Sequence, residues 1–259
     1  MVNTSPLYHA WARLFFAYLV SFALSFAVGI FLILILRVTP ETIFEVSTKR
    51  ISFVFPVLES GASYGIDKGI LLFTWNTLGA LATISFLYTA PLFNPHNIAL
   101  FPQTIRRVFS GRKKMKLLCF LPGCLQIEEE SLRRVYVWLM VPWLGMILLG
   151  IESGLTASTS SALFGSYLIG FASLVPHGII EIPAISFAGA TPFAAHLLIK
   201  KNTKINIKTN QIDATFKDIT NYTKTVPLMK YIVIVISCLF IAGLFEAHVT
   251  PELLGMLRK

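Results

Sequence analysis

Apolar residues in this chain fall into long blocks separated by short polar stretches, and the length of each block decides the element it predicts. A helix needs about 20 apolar residues to cross a hydrocarbon core. Leu14–Leu36 supplies 23 residues without a single charge. Gly69–Phe93 is a second block, with Thr74, Asn76, Thr77, Thr83, Ser85 and Thr89 as internal polar groups. Val135–Ile151 is a third, with Pro142 expected to kink it, and Met229–Phe245 is the last. Between these lies Ser161–Ile199, whose 39 residues at ~1.5 Å each would reach about twice the thickness of a bilayer core. Pro176 is where that region is expected to break, with Pro183 as a second helix-breaking position. The pattern predicts an all-α, polytopic transmembrane helical bundle of one domain over residues 1–259, with about five spans: 14–36, 69–93, 135–151, 161–199 broken near 176, and 229–245.

Composition supports this reading. The chain is 55% hydrophobic and only 14% charged, where soluble domains carry about a quarter charged residues. Its mean hydropathy is +0.70. The net charge of +9 is compatible in principle with nucleic acid, but the basic residues flank the spans. They are therefore assigned to topology and to anionic lipid headgroups, and no nucleic-acid partner is expected. Five spans place 16 Lys and Arg on the side of the N-terminus and six on the other. The expected orientation in the cell membrane thus has the N-terminus, the 94–134 loop and the 200–230 loop cytoplasmic and the C-terminus external. Two net crossings by 161–199 would move the last basic loop outside, so one crossing is favoured. The N-terminal block is longer than a secretory h-region, and Arg37-Val38-Thr39-Pro40 lacks small-residue cleavage character, so it is read as an uncleaved first span.

The loops carry local signals. Thr39-Pro40-Glu41 is a helix-start pattern. The apolar Ile43, Phe44, Ile51, Phe53 and Val54 after it predict a helix lying at the membrane surface. Glu129–Arg133 and Glu130–Arg134 are spaced as i,i+4 ion pairs that extend the third span. Cys119 and Cys124 share their loop with His96 as the one histidine. That is too few ligands for a closed metal site, and the pair is read as reduced apolar thiols. An odd count of three cysteines argues against a disulfide scaffold.

The chemistry concentrates at Val175-Pro176-His177-Gly178-Ile179-Ile180-Glu181-Ile182-Pro183-Ala184. From Ser161 to Ile199 the only carboxylate is Glu181, and the only imidazoles are His177 and His196. A carboxylate within a bilayer is costly, so it is paired, protonated or turned toward a cavity. His177 and Glu181 are four residues apart and share a helical face. The residues leave three roles open: a structural polar pair, a proton or ion site, or a metal site with a third ligand from elsewhere. The first is favoured, so no catalytic residue, metal or cofactor is assigned. The pair is expected to be buried and to contact a polar group on another helix. Glu246, closing the last span, and Asn76, in mid-span, complete the candidate polar intramembrane site. Ala184, Ala188 and Ala195 line one face of the same helix, and small residues at that spacing admit close helix packing, within the chain or in a homodimer. No glycine-rich nucleotide loop, serine-hydrolase elbow or two-histidine protease motif is present, and no inverted repeat is visible.

The segment Pro176-His177-Gly178-Ile179-Ile180-Glu181-Ile182-Pro183-Ala184 resembles the Pro-His-Gly-x-x-Glu-x-Pro-Ala signature of the stage II sporulation protein M family. Glu246-Ala247-His248-Val249-Thr250-Pro251 is similar to that family's closing Glu-to-Thr-Pro motif, and the two occur in the right order with a basic loop between them. The resemblance implies a non-enzymatic multi-pass membrane scaffold or assembly factor. In spore formers the namesake is a membrane partner that recruits cell-wall-degrading proteins, so cell-envelope protein partners are implied here too. The alternatives carried from the residues are an ion- or proton-coupled channel or transporter using His177, Glu181 and Glu246, and an intramembrane metalloenzyme.

Overall fold

The computed structural model describes residues 5–50, 52–94, 124, 127, 129–205 and 211–257. Among them the regular elements are all helical. Helix α1 spans Ser5–Leu34, α2 Pro40–Thr48, α3 Phe55–Ser63, α4 Lys68–Thr89, α5 Glu130–Leu163, α6 Tyr167–Ala172, α7 Val175–Ile205, α8 Gln211–Thr225 and α9 Leu228–Leu244. A π-helical turn, Phe245–Val249, joins α9 to α10, Thr250–Leu257. Five helices are long and apolar enough to cross a membrane: α1, α4 with its 3₁₀ extension, α5, α7, and α9 continued through α10. The chain is an all-α polytopic bundle, and α7 is one continuous helix.

The third and fourth elements are divided differently from the sequence expectation. Residues 152–163, expected in part as a loop and in part as the start of the fourth region, continue α5 without a break and through Pro142. Their small and hydroxyl residues look like a helix end in sequence. They are instead the contact surface for α1. A Cβ on Gly150 would lie 2.6 Å from the Tyr18 carbonyl, and one on Gly154 would lie 2.4 Å from the Phe22 carbonyl. Gly29 faces Ser158 in the same way one turn on, and Ser25 Oγ donates to the Gly150 carbonyl at 3.2 Å. Two parallel small-residue ladders, 21–25–29 and 150–154–158, thus bring the backbones together, a mode suited to lipid, where apolar side chains gain nothing from mere contact. Gly165, at φ +64, ends α5; the left-handed conformation there costs glycine nothing.

The break expected at Pro176 lies just before it. Ser173 and Leu174 separate α6 from α7, and Pro176 sits in the first turn of α7, where its missing N–H has no helical partner to lose. Pro183 is not a break: α7 runs through it. The missing Pro183 N–H frees the Ile179 carbonyl, while α1 packs against this turn, where Trp11 Nε1 donates to the Pro183 carbonyl at 3.2 Å. The surface helix expected after Thr39 is two short helices, α2 and α3. Ile43 and Val54 are buried while Phe44 and Phe53 are exposed; Ile51 lies outside the described residues. Glu130 pairs with Arg134. Arg133 instead donates to the Ile127 carbonyl from Nε at 3.0 Å and Nη2 at 2.6 Å, which satisfies a loop carbonyl just ahead of α5.

The core is widest toward the end that carries α8 and the start of α5. There Leu14, Tyr136, Leu139, Ala190, Phe193, Ala194 and Ile199 pack with almost no exposure. His196 belongs to this core, its Nδ1 3.1 Å from the Tyr136 carbonyl and its ring stacked on Phe193. Ala195 lies in the same cluster. Ala184 and Ala188 pack against Ala80 and Ile84 of α4 and Val235 and Leu239 of α9. The small face of α7 is therefore used within one chain. Cys124 is buried; Cys119 and His96 lie outside the described residues.

Candidate functional site

Three helical segments converge near the start of α7. His177 lies in its first turn and Glu181 one turn further, about 9 Å along the axis from Val175 at ~1.5 Å per residue. The i,i+4 spacing puts both on the face turned toward α4 and the end of α9. Asn76 of α4 donates from Nδ2 to Glu181 Oε1 at 2.9 Å. Glu246 arrives from the π turn. One potential ligand atom each of His177, Glu181 and Glu246 lie within 4.8 Å of one another. The four residues singled out from sequence are thus brought together, and Asn76 is the polar group on another helix that meets Glu181. His177 and Glu181 do not hydrogen-bond to each other. His177 is 9% exposed, and its Nδ1 has no hydrogen-bond partner. Among the described residues no Lys or Arg pairs with Glu181 or Glu246.

The π turn has a local cause. Pro251 has no N–H to return to the Ala247 carbonyl, and Thr250 Oγ1 donates instead to the Phe245 carbonyl at 3.2 Å. The widened turn carries Glu246 to the cluster, while His248 Nε2 meets Asp67 Oδ2 at 3.1 Å. Asp67 also caps α4, accepting from Gly69 N at 2.8 Å and Ile70 N at 3.3 Å. Close backbone contact holds the two helix ends together: a Cβ on Gly243 would lie 2.7 Å from the Gly69 carbonyl.

A cavity of about 350 Å³ opens over the cluster. Glu181, His177, Glu246 and Asn76 form its polar floor, Tyr18, Leu149 and Ser153 one wall, and Val54, Phe55 and Leu58 from the α2–α3 segment its roof. Arg50, between α2 and α3, makes a two-pronged ion pair to Glu152 of α5 at the rim, with Nε–Oε1 at 2.6 Å and Nη2–Oε2 at 2.7 Å. The arrangement is a vestibule beneath a surface segment, ending on two carboxylates, an amide and an imidazole. Chemically it can take up water, protons or a cation.

From sequence, Arg50 counts only as a topology charge and Glu152 only as an interfacial acid, and Asp67, Gly150 and Gly154 have no assigned role. The glycines were legible as a small-x-x-x-small spacing opposite a serine ladder, and Asp67 as a cap before an apolar run. The Arg50–Glu152 pair spans more than 100 residues and had no local signal.

Similarity to known proteins is confined to one kind of match. No curated protein matches the chain, and no solved structure does. The profile of the family described as stage II sporulation protein M matches residues 19–251, which includes the α1–α5 ladder, the vestibule and the π turn. The chain belongs to the stage II sporulation protein M family.

Proposed function

We propose that this multi-pass membrane protein is a non-enzymatic scaffold or assembly factor that works with cell-envelope protein partners. The observation supporting this reading is the one-sided character of the bundle. A polar vestibule lies under α2 and α3, whereas the opposite half is an apolar core built on Leu14, Tyr136, Leu139 and Ala194. Such a body presents a surface and a pocket on one side of the bundle. The charge asymmetry of the loops supports an orientation with α2–α3 on the external face of the cell membrane. There Phe53, Val57 and Tyr64 are 66%, 64% and 84% exposed and available to an envelope protein. The small face of α7 is occupied within the chain, so a homodimer uses another surface.

A second reading, ion or proton coupling, is favoured by the vestibule itself, because it reaches Glu181. One experiment separates the two. Purified protein reconstituted into vesicles is assayed for proton and cation flux, and photo-crosslinking residues placed at Phe53, Val57 and Tyr64 are activated in cells. The scaffold reading expects no flux above protein-free vesicles and a discrete crosslinked envelope protein. Flux that disappears in Glu181→Gln, with no crosslinked partner, overturns it in favour of coupling.

A further inference from the structure

We propose that His177, Glu181 and Glu246 bind a divalent transition-metal cation at the floor of the vestibule. The donor set is one imidazole and two carboxylates from two separate helical segments, with potential ligand atoms within 4.8 Å of one another. Ligand atoms around a tetrahedral ion bonded at about 2.0–2.1 Å are about 3.3 Å apart, a closure that rotation about the flexible Glu side chains supplies. His177 is 9% exposed and carries a buried Nδ1 with no hydrogen-bond partner. A nitrogen withdrawn from water is normally satisfied, and a metal satisfies it as well as a donor does. The two carboxylates sit in a low-dielectric enclosure, and the nearest cation lining the cavity, Arg50, is engaged by Glu152. A bound cation removes this imbalance without a proton.

Two further features suit a metal centre. Asn76 Nδ2 holds Glu181 Oε1 at 2.9 Å, which leaves the second oxygen available as a ligand. A hydrogen bond behind a carboxylate is how outer residues orient a ligand. The cavity of about 350 Å³ above the cluster admits the waters needed to complete a shell that three protein ligands leave open. The imidazole selects the class of ion. Ca²⁺ and Mg²⁺ are held by all-oxygen sets, whereas mixed imidazole and carboxylate ligation suits Zn²⁺ and its divalent neighbours. This inference does not depend on the scaffold reading: metal content is read on the purified chain and partner capture in cells, so either can fail alone.

The test uses the full chain in detergent, stripped with a chelator and titrated with Zn²⁺. Metal content after desalting is measured by mass spectrometry, and Co²⁺ is substituted to give a visible absorption signature. The expected result is one tightly held Zn²⁺ per chain that excess Mg²⁺ and Ca²⁺ do not displace. Glu246→Gln and His177→Ala should abolish stoichiometric retention, and Asn76→Ala should weaken affinity by about 10- to 100-fold. His248→Gln should leave binding intact, which separates this cluster from the exposed His248–Asp67 pair. Glu246→Gln preserves side-chain shape, and a Co²⁺ spectrum altered in a variant with unchanged helical circular dichroism excludes misfolding as the cause. Failure of the wild-type chain to retain Zn²⁺, or full retention by both Glu246→Gln and His177→Ala, overturns the proposal.

Discussion

Glu181 is the residue on which the polar floor turns. It accepts from Asn76 and lies beside His177 and Glu246, so its two substitutions by Gln and Ala differ in what they leave behind. In metal-stripped protein, Glu181→Gln keeps an oxygen for the Asn76 amide and should leave thermal unfolding in detergent close to wild type. Glu181→Ala strips that acceptor from a half-buried amide and should cost ~1–3 kcal/mol, read as a lowered unfolding midpoint. Equal losses for the two would show that charge, not the hydrogen bond, holds the floor together. Arg50 is a contrasting case. Its guanidinium side chain is 53% exposed, and an exposed ion pair contributes only ~0–1 kcal/mol. Arg50→Ala should therefore barely move the unfolding midpoint. It should instead raise the rate at which a small thiol reagent reaches a cysteine placed at Ser153, which lines the cavity under that rim. An unchanged labelling rate would mean that the pair does not guard the entrance.

At the scale of elements, two devices shape the bundle, and each has a distinct failure. The α1–α5 ladder depends on the absence of a side chain at Gly150 and Gly154. Gly154→Leu should force the helices apart and lower stability by about 1–3 kcal/mol or more, since overpacking moves backbone rather than a flexible side chain. The same change at Gly79 or Gly145, where a Cβ would meet nothing within 4 Å, should be tolerated. The π turn depends on Thr250 and Pro251. Replacing both, Thr250→Val with Pro251→Ala, restores an N–H and removes the competing hydroxyl, so an α-helical register should propagate through Glu246. That register change rotates Glu246 away from Glu181. A cysteine pair at positions 181 and 246 should then lose the oxidative crosslinking that it shows with Thr250 and Pro251 in place.

For the whole molecule, the prediction is topology. If each of the five apolar helices crosses once, α2 and α3 lie on the same side as the C-terminal end and α8 lies on the other, and the loop charges predict that α8 is cytoplasmic. In a background without Cys119, Cys124 and Cys238, an impermeant thiol reagent on intact cells should label a cysteine at Ser63 and spare one at Lys224. The reverse pattern would invert the orientation and move the vestibule to the cytoplasmic face.

The all-α class, the number of spans and the family were legible in the sequence alone, because they rest on quantities additive along the chain. Block length against bilayer thickness, and the run Pro176 to Ala184, need no knowledge of neighbours. The candidate residues were legible for the same reason: an ionisable group in an apolar run stands out by its desolvation cost alone. Element boundaries were not. Gly150 to Ser161 has the composition of a loop, and it is helical because α1 lies against it. Pro183 has the chemistry of a break, and it stays helical because α1 and the rest of the bundle cover α7. What only the tertiary structure decided is the meeting itself. Asn76, His177, Glu181 and Glu246 lie on three apolar spans whose rotation about their axes the sequence pattern leaves nearly free, since residues on every side of such a helix are compatible with lipid. The glycine contacts between α4 and α9, the proline at 251 and the roof of α2 and α3 set those rotations, and they turn four separate polar residues into one floor.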